Sequence, residues 1–530
     1  MAGAVLVLVM SLLVTPLTAA AQSSSAVPND VAETAAVTAA LQRILSAGAP
    51  PVPDIVAALG TEPLDGLGKF YAQRRNAPLW VSDTGPMPEA GFVLDRTPEA
   101  LPASLRPLLT AAATRRHATD PGALAELDLL TSAIYGAAAV GPQDPTATQG
   151  AGRALFQLDG AADRLTLLRD ALPVDPGFWR LRDAFSAYRA LAAAGGWGSV
   201  PDGPKLDLGA AGPRVDALRR RLAATGDLAS AAPTTSAYDD VLRQAVQHFQ
   251  ARHGLETDGV TGEKTLAALN VPVERRLGVM AANLIRLQRQ HRNWGQRYIA
   301  VNIAAAAYRL VVDGRVVFER PAVVGKPSWP TPMLDSVIDR VEFHPYWRIP
   351  MNIAEQEVWP KQDADPGYFA RQGIHAVNSQ LIQDPGPANP LGIVKFLFDN
   401  PYSVYLHDTT APGLFARAYR FSSHGCIRVS DAGDLARQLL ASDPQWPAER
   451  VDAALQTGGN QGVTLREPIP VHIVYDTAWA DDNGMVEFRA DVYHRDVVPA
   501  VAPAPIAPDT AAPGAPGPLA DATPLAGCNS

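Results

Sequence analysis

Cysteine is nearly missing from this sequence. Only Cys426 and Cys528 occur in 530 residues, and two cysteines, one in a loose C-terminal tail, exclude a disulfide framework as the source of stability. Charge is sparse too. Asp, Glu, Lys and Arg make up 19% of the chain and the net charge is -9, with a pI near 5.6. No basic field covers the chain, so a nucleic-acid partner is not expected. Long apolar runs are absent apart from AVLVLVMSLLVTPL, Ala4 to Leu17, which falls short of the ~20 residues a membrane span needs. Lys and Arg are also absent before Arg43, so the positive flank of an export signal is missing and a true start upstream of Met1 is expected.

That first apolar run is followed by TAAAQ, in which Ala19 and Ala21 fit a small-residue cleavage site before Gln22. Residues 1–21 therefore read as a signal peptide, with an N-terminal membrane anchor as the alternative. A lone thiol kept in an exported protein needs a reason, and catalysis supplies one. The apolar share of 47%, with 47 prolines and 42 glycines, describes a globular protein with several loops or linkers. The length is too great for one ordinary core, so two or three domains are expected.

Residues 22–59 are expected as a linker and residues 60–195 as a helical scaffold, rich in Ala, Leu and Arg, with apolar positions recurring at three and four in Ala123 to Val140. The aromatics of FYAQRRNAPLWV, Phe70 to Val81, read as core. After the Gly/Pro-dense break Gly195 to Pro204 comes a three-helix unit over residues 205–272. Val215, Leu218 and Leu222 share one face of its first helix. Val241, Ala245 and Phe249, less regularly Val246, stripe the second, and Thr261 can cap the third. Val273 to Gln290 is a further amphipathic helix, with Leu277, Met280, Leu284 and Leu287 on one face.

From Tyr298 the period switches to two, and Asp313-Gly314 between two apolar runs predicts a hairpin. A β-rich domain is expected over residues 297–497, with a second strand pair turning at Gly484. Residues 345–383, loop-like and aromatic, read as a lid over the site. Residues 498–530, mostly Pro and Ala, should be disordered.

The concentrated chemistry lies in SSHGCIRVS, Ser422 to Ser430. Attack on a carbonyl needs a thiolate, and a thiol of ordinary pKa needs help to supply one at neutral pH. Cys426 is the candidate nucleophile. A helix is expected to start after Ser430-Asp431, with Asp431 among its capping residues, so that Cys426 lies near a helix entrance and backbone N–H groups that can cradle an oxyanion. Gly425 permits an unusual backbone angle. SVYLHD, Ser403 to Asp408, reads as a strand ending in His407, the candidate base, with Tyr405 on the same face. The Asp408 side chain should point away, and a backbone carbonyl is as good a partner for the ring.

Two resemblances follow. Residues 205–272 resemble the peptidoglycan-binding domain type 1 family through Gly209 or Gly212, Phe249-Gln250, and the turn Asp258, Gly259, Gly262, Thr265. His407 followed by Ser423-His424-Gly425-Cys426 and Arg428 resembles the L,D-transpeptidase catalytic domain of YkuD type, as does PGPANPLGIVKFLF, Pro385 to Phe398. The order of regions is similar to the large YcbB-like subtype. The implied fold is multidomain α+β: a helical N-terminal scaffold, a three-helix peptidoglycan-binding module, and a mostly-β catalytic domain with an inserted lid.

The resemblance implies Cys426 as nucleophile and His407 as general base. Ser423, His424 and Gly425 would shape the site, with oxyanion donors at Gly425 and Cys426. Arg428 would support the loop or bind a substrate carboxylate, and Tyr405 is a further candidate for substrate contact. The implied reaction is formation of 3-3 cross-links in peptidoglycan through a thioester, with D-alanine released from a stem tetrapeptide. The implied partners are a donor stem peptide and an acceptor amine, with other cell-wall synthesis proteins in reach, at most peripheral membrane contact, and no cofactor. The implied place is a Gram-negative-type periplasm, and the implied inhibitor a carbapenem. Hydrolysis by water and attachment of a lipoprotein are outcomes of the same chemistry. A zinc amidase using His407, His424 and Cys426, and a non-catalytic wall-binding scaffold, are the alternatives from other classes.

Overall fold

In the computed structural model the described residues are 34–47, 62–95, 105–139, 147–172, 175–229, 236–290 and 294–497, with single positions 55 and 101. The expected signal, the tail and Cys528 lie outside them. Among the described residues no helix is long and apolar enough to cross a membrane.

The N-terminal body is helical except for a small hairpin, β1 (Val81–Ser82) with β2 (Gly85–Pro86). Phe70, Tyr71 and Trp80 are fully buried in its core, as the sequence suggests. One boundary differs. Ala35–Ser46, inside the stretch expected as linker, is a helix that buries Val37, Ala40 and Leu41 in the same core, because its apolar residues recur at three and four.

The three-helix module comprises Pro213–Ala224, Asp240–Arg252 and Glu263–Leu269. Val215, Leu218 and Leu222 are buried as expected, but the second stripe is Leu242, Ala245, Val246 and Phe249, while Val241 is exposed. Thr261 is not the cap: it is buried in a bridge to Leu206, and Gly262 stands at the N-cap. Gln250 organises the turn into the third helix. Its Nε2 donates to Asp258 Oδ1 (2.8 Å) and Val260 O (3.0 Å), while its Oε1 accepts from Gly259 N–H (2.8 Å).

The β-rich region is a sheet built from β3 (Tyr298–Asn302), β4 (Ala307–Val312), β5 (Arg315–Gly325), β6 (Leu334–Phe343), β10 (Val394–Phe398), β11 (Leu406–His407), β12 (Phe421–Ser423), β13 (Ile427–Val429) and β14 (Gln461–Val474). The strand order is β12-β5-β13-β11-β10-β6-β14-β3-β4, and a β4–β5 pairing closes it on itself. Asp313 and Gly314 both have positive φ, which is the twist a two-residue hairpin between β4 and β5 needs. The apolar lining of this barrel, including Phe343, Phe396, Leu406 and Ile427, meets the helix Ala432–Leu440 through Leu435, Leu439 and Leu440.

Residues 345–383, expected as a lid, form an ordered subdomain. Strands β7 (Trp347–Arg348), β8 (Ile374–Val377) and β9 (Gln380–Gln383) pair in the order β7-β9-β8. Short helices between them bury Ile349, Ile353, Val358 and Leu381 in a separate core.

The last strand pair, β15 (Ala478–Ala480) with β16 (Val486–Phe488), turns at Gly484 as expected. It does not join the barrel. Ala478, Ala480, Val486 and Phe488 lie in the core of the N-terminal helical body. Arg252 Nη1 of the three-helix module donates to Val486 O (2.9 Å), and Arg489 Nη1 donates to Arg252 O (2.9 Å). The hairpin therefore ties three regions together.

Candidate active site

β11 and β13 run parallel and adjacent, with Leu406 opposite Ile427 and His407 opposite Arg428. This register brings the end of SVYLHD alongside the residue after Cys426. Cys426, His407, Tyr405, Ser423, His424 and Arg428 all line one cavity of about 280 Å3, walled on its far side by lid residues that include Glu357, Val358, Lys361 and Tyr368.

His407 is buried. Its Nδ1 lies 2.6 Å from the Asp408 carbonyl, which can only accept, so Nδ1 carries the hydrogen and Nε2 presents its lone pair. The Asp408 carboxylate points elsewhere, to Ile393 N–H at 2.9 Å. Burial, reinforced by the charge of Arg428, pushes the imidazole pKa down to about 3. The ring is neutral at working pH. Tyr405 stands edge-on to it, with centroids 5.6 Å apart.

The loop before β13 is held from within. Ser423 Oγ donates to Cys426 O (2.6 Å) and accepts from Gly425 N–H (3.2 Å). Gly425 has φ +111, a conformation L side chains rarely adopt. Three expectations are corrected here. The Gly425 N–H, one expected oxyanion donor, is turned inward to Ser423. Asp431 makes no side-chain cap and has left-handed backbone, because its carboxylate faces Arg320 at 3.6 Å. Cys426 opens onto a strand rather than a helix, since β13 separates it from Ala432, and the helix dipole fades within a turn. The chemistry considered below is that of the reduced Cys426 thiol.

His424 Nε2 is 2.6 Å from Glu357 Oε1. Glu357 sits on a single π-helical turn, Ala354–Val358, of the lid, the kind of local widening often found at functional sites. Burial holds His424 below the ordinary histidine range even with that carboxylate beside it. Arg428 has its guanidinium pKa lowered by burial, and its Nε makes no hydrogen bond among the described residues. Glu357, Lys361 and the buried Thr331 behind the loop went unnoticed in the sequence, where no spacing or motif marks them. Among the described residues no group of three or more His, Cys, Asp and Glu could hold a metal ion, so His407, His424 and Cys426 do not form the zinc set of the alternative reading.

A cysteine and a histidine thus share one cavity on a closed barrel. Residues 296–454 match the L,D-transpeptidase catalytic domain, YkuD, and residues 211–269 match the "Putative peptidoglycan binding domain". The chain carries both domains. It is 29% identical over 218 residues to a Haemophilus influenzae protein named "Putative L,D-transpeptidase", covering 37% of this chain and 44% of that protein. It thus spans less than half the length of this relative. Similar solved structures include the L,D-transpeptidase of Xylanimonas cellulosilytica (19% identity, 52% of this chain and 98% of that one, TM-score 0.19). Another is the L,D-transpeptidase of Stackebrandtia nassauensis (14% identity, 52% and 97%, TM-score 0.23).

Proposed function

We propose that the protein is a peptidoglycan L,D-transpeptidase that forms 3-3 cross-links through a thioester on Cys426. The observation that carries this reading is the shared cavity of Cys426 and His407, with the Asp408 carbonyl holding the proton on Nδ1 so that Nε2 is the basic atom.

The reduced Cys426 sulfur attacks the carbonyl carbon of the L,D amide in a donor tetrapeptide as His407 Nε2 takes the thiol proton. The tetrahedral oxyanion is met by the Cys426 N–H. The C–N bond breaks, the departing D-alanine nitrogen takes the proton from His407, and a thioester remains. An acceptor amine then attacks that carbonyl and gives a proton to Nε2, and the thiolate leaves and is reprotonated. One amide has been exchanged for another, with no oxidant or cofactor consumed. Because His407 resists protonation, proton transfer accompanies attack instead of a standing imidazolium–thiolate pair preceding it. Arg428 and Tyr405 bind or orient the donor from the cavity wall, and the module at 211–269 keeps the enzyme on the polymer. We place the reaction in the periplasm of an exporting cell, and the same thiol would be acylated by the strained carbonyl of a carbapenem.

The test is mass spectrometry of the full, reduced chain with a disaccharide tetrapeptide. A thioester adduct on Cys426 and a dimeric product are expected. A shortened monomer alone would mean that water is the acceptor. Cys426→Ala should abolish both products while wall binding persists, and unchanged cross-linking by that variant would refute the assignment.

A further inference from the structure

The seven residues from Gly325 to Thr331 form a tight loop behind the catalytic strand. A Cβ on Gly325 would lie 2.1 Å from the Trp329 carbonyl oxygen and 2.7 Å from Thr331 N, so only glycine allows the loop to fold back so closely. The loop is pinned to the neighbouring segment by Lys326 N–H donating to Ser423 O (2.9 Å). Thr331 closes it. Its hydroxyl accepts from Gly325 N–H at 2.9 Å and donates to the Gly425 carbonyl at 2.8 Å. Its own N–H donates to Tyr493 Oη at 3.2 Å, and Tyr493 in turn donates to Gly325 O.

Thr331 has no exposed surface and is not among the residues that wall the cavity, whereas Cys426, Ser423 and His424 are. It therefore grips the Gly425–Cys426 peptide from the side away from the substrate. No peptide bond among the described residues is cis. In a planar trans peptide the C=O and the following N–H point in opposite directions. A Gly425 carbonyl drawn back to Thr331 consequently aims the Cys426 N–H forward, toward the cavity.

This geometry leads us to propose that Thr331 is a positioning residue for the acyl-transfer step, holding the Gly425–Cys426 peptide plane so that the Cys426 N–H meets the oxyanion. The inference rests on the transpeptidase reading above. Gly425, with its positive φ, has the rotational freedom that would let this plane turn once the grip is lost. Nothing in the proton transfer between Cys426 and His407 depends on the hydroxyl, so the two contributions separate experimentally. Alkylation of the thiol by iodoacetamide develops no oxyanion, whereas acylation does.

The experiment compares Thr331→Val, Thr331→Ala and Thr331→Ser in the full, reduced chain. It reads kcat and KM with the disaccharide tetrapeptide, the single-turnover acylation rate, the iodoacetamide rate and the thermal midpoint. Valine and alanine should lower acylation and kcat by about ten- to a hundredfold, with KM and alkylation within about twofold of wild type; serine, which keeps the hydroxyl, should stay close to wild type. Acylation by the valine and alanine variants at the wild-type rate would overturn the proposal, as would equal losses of acylation and alkylation, which would indicate a merely structural residue. If valine does not fold, alanine and serine decide the matter in the same way, and if neither valine nor alanine folds while serine does, the role is structural and the proposal is overturned. A wild-type enzyme that forms no adduct with the tetrapeptide would defeat the transpeptidase reading and this inference with it, whereas an active wild type with insensitive variants would defeat this inference alone.

Discussion

His407 combines a deep location with a fixed proton, and both leave a measurable trace. The unfolded imidazole binds a proton below about 6.5 and the folded one only near 3. Between those values the unfolded chain holds more protons, so stability falls as pH falls, by roughly 1.4 kcal/mol per pH unit. Thermal midpoints measured from pH 6.5 to 5, above the carboxylate range, should decline less steeply in His407→Gln than in wild type. Equal slopes would show that the ring is solvated. The acylation rate should likewise show no imidazolium inflection between pH 5 and 8. At this scale the sequence is informative where the chemistry is contiguous: SHGC and the strand-end histidine were legible in it. Glu357 and Thr331 were not, because they reach His424 and Gly425 across 67 and 94 positions, and each alone is an ordinary surface-type residue in an unremarkable string.

Strands and turns were legible where local chemistry dictates them, as at Asp313-Gly314, and misread where tertiary packing chooses. Val241 and Leu242 are adjacent apolar residues, and only the direction of the neighbouring helices decides which is buried. A similar choice governs Gly392. Its φ is +66, and an added Cβ would come within 2.3 Å of the Asp408 carboxylate. Gly392→Ala should destabilise the protein by about 2–4 kcal/mol and displace the segment carrying His407. A thermal midpoint within a degree of wild type would contradict this. Residues 345–383 were expected as a loop-like lid over the site, yet they carry their own sheet and core. One tether to the nucleophile loop is the Glu357–His424 contact, beside Trp329, which packs on the lid core and stands edge-on to His424. Glu357→Ala should raise hydrogen exchange over 351–372 and leave the barrel strands unchanged; unchanged lid exchange would show that its own core is sufficient to seat it.

Across the whole molecule, the succession of helical body, small helical module and β-rich domain follows from the change in apolar period along the chain. The joints do not, because hairpin residues 478–488 have strand periodicity wherever they dock. Arg252 illustrates the consequence. It pairs bidentately with Asp227 (2.6 and 2.5 Å), both side chains buried, while also bonding Val486. Arg252→Ala takes the bidentate cation from the buried Asp227 carboxylate, which keeps the Thr225 hydroxyl (2.6 Å) and His248 Nδ1 (3.1 Å) beside it, and should cost about 3 kcal/mol, seen as an earlier melting transition of the three-helix module. A fragment of residues 297–497 should self-associate on a sizing column, since Ala478, Ala480, Val486 and Phe488 would lose their cover. A monodisperse monomer would show that the hairpin finds another seat.

The same hairpin dictates an order of assembly. Val37 and Phe488 share one core, so a layer made early is completed by a segment that leaves the ribosome much later. Closing so long a loop is slow, and until then the early helices present an open seam suited to a holding chaperone. A truncated product ending before residue 478 would retain the nucleophile and the base yet never seal that seam.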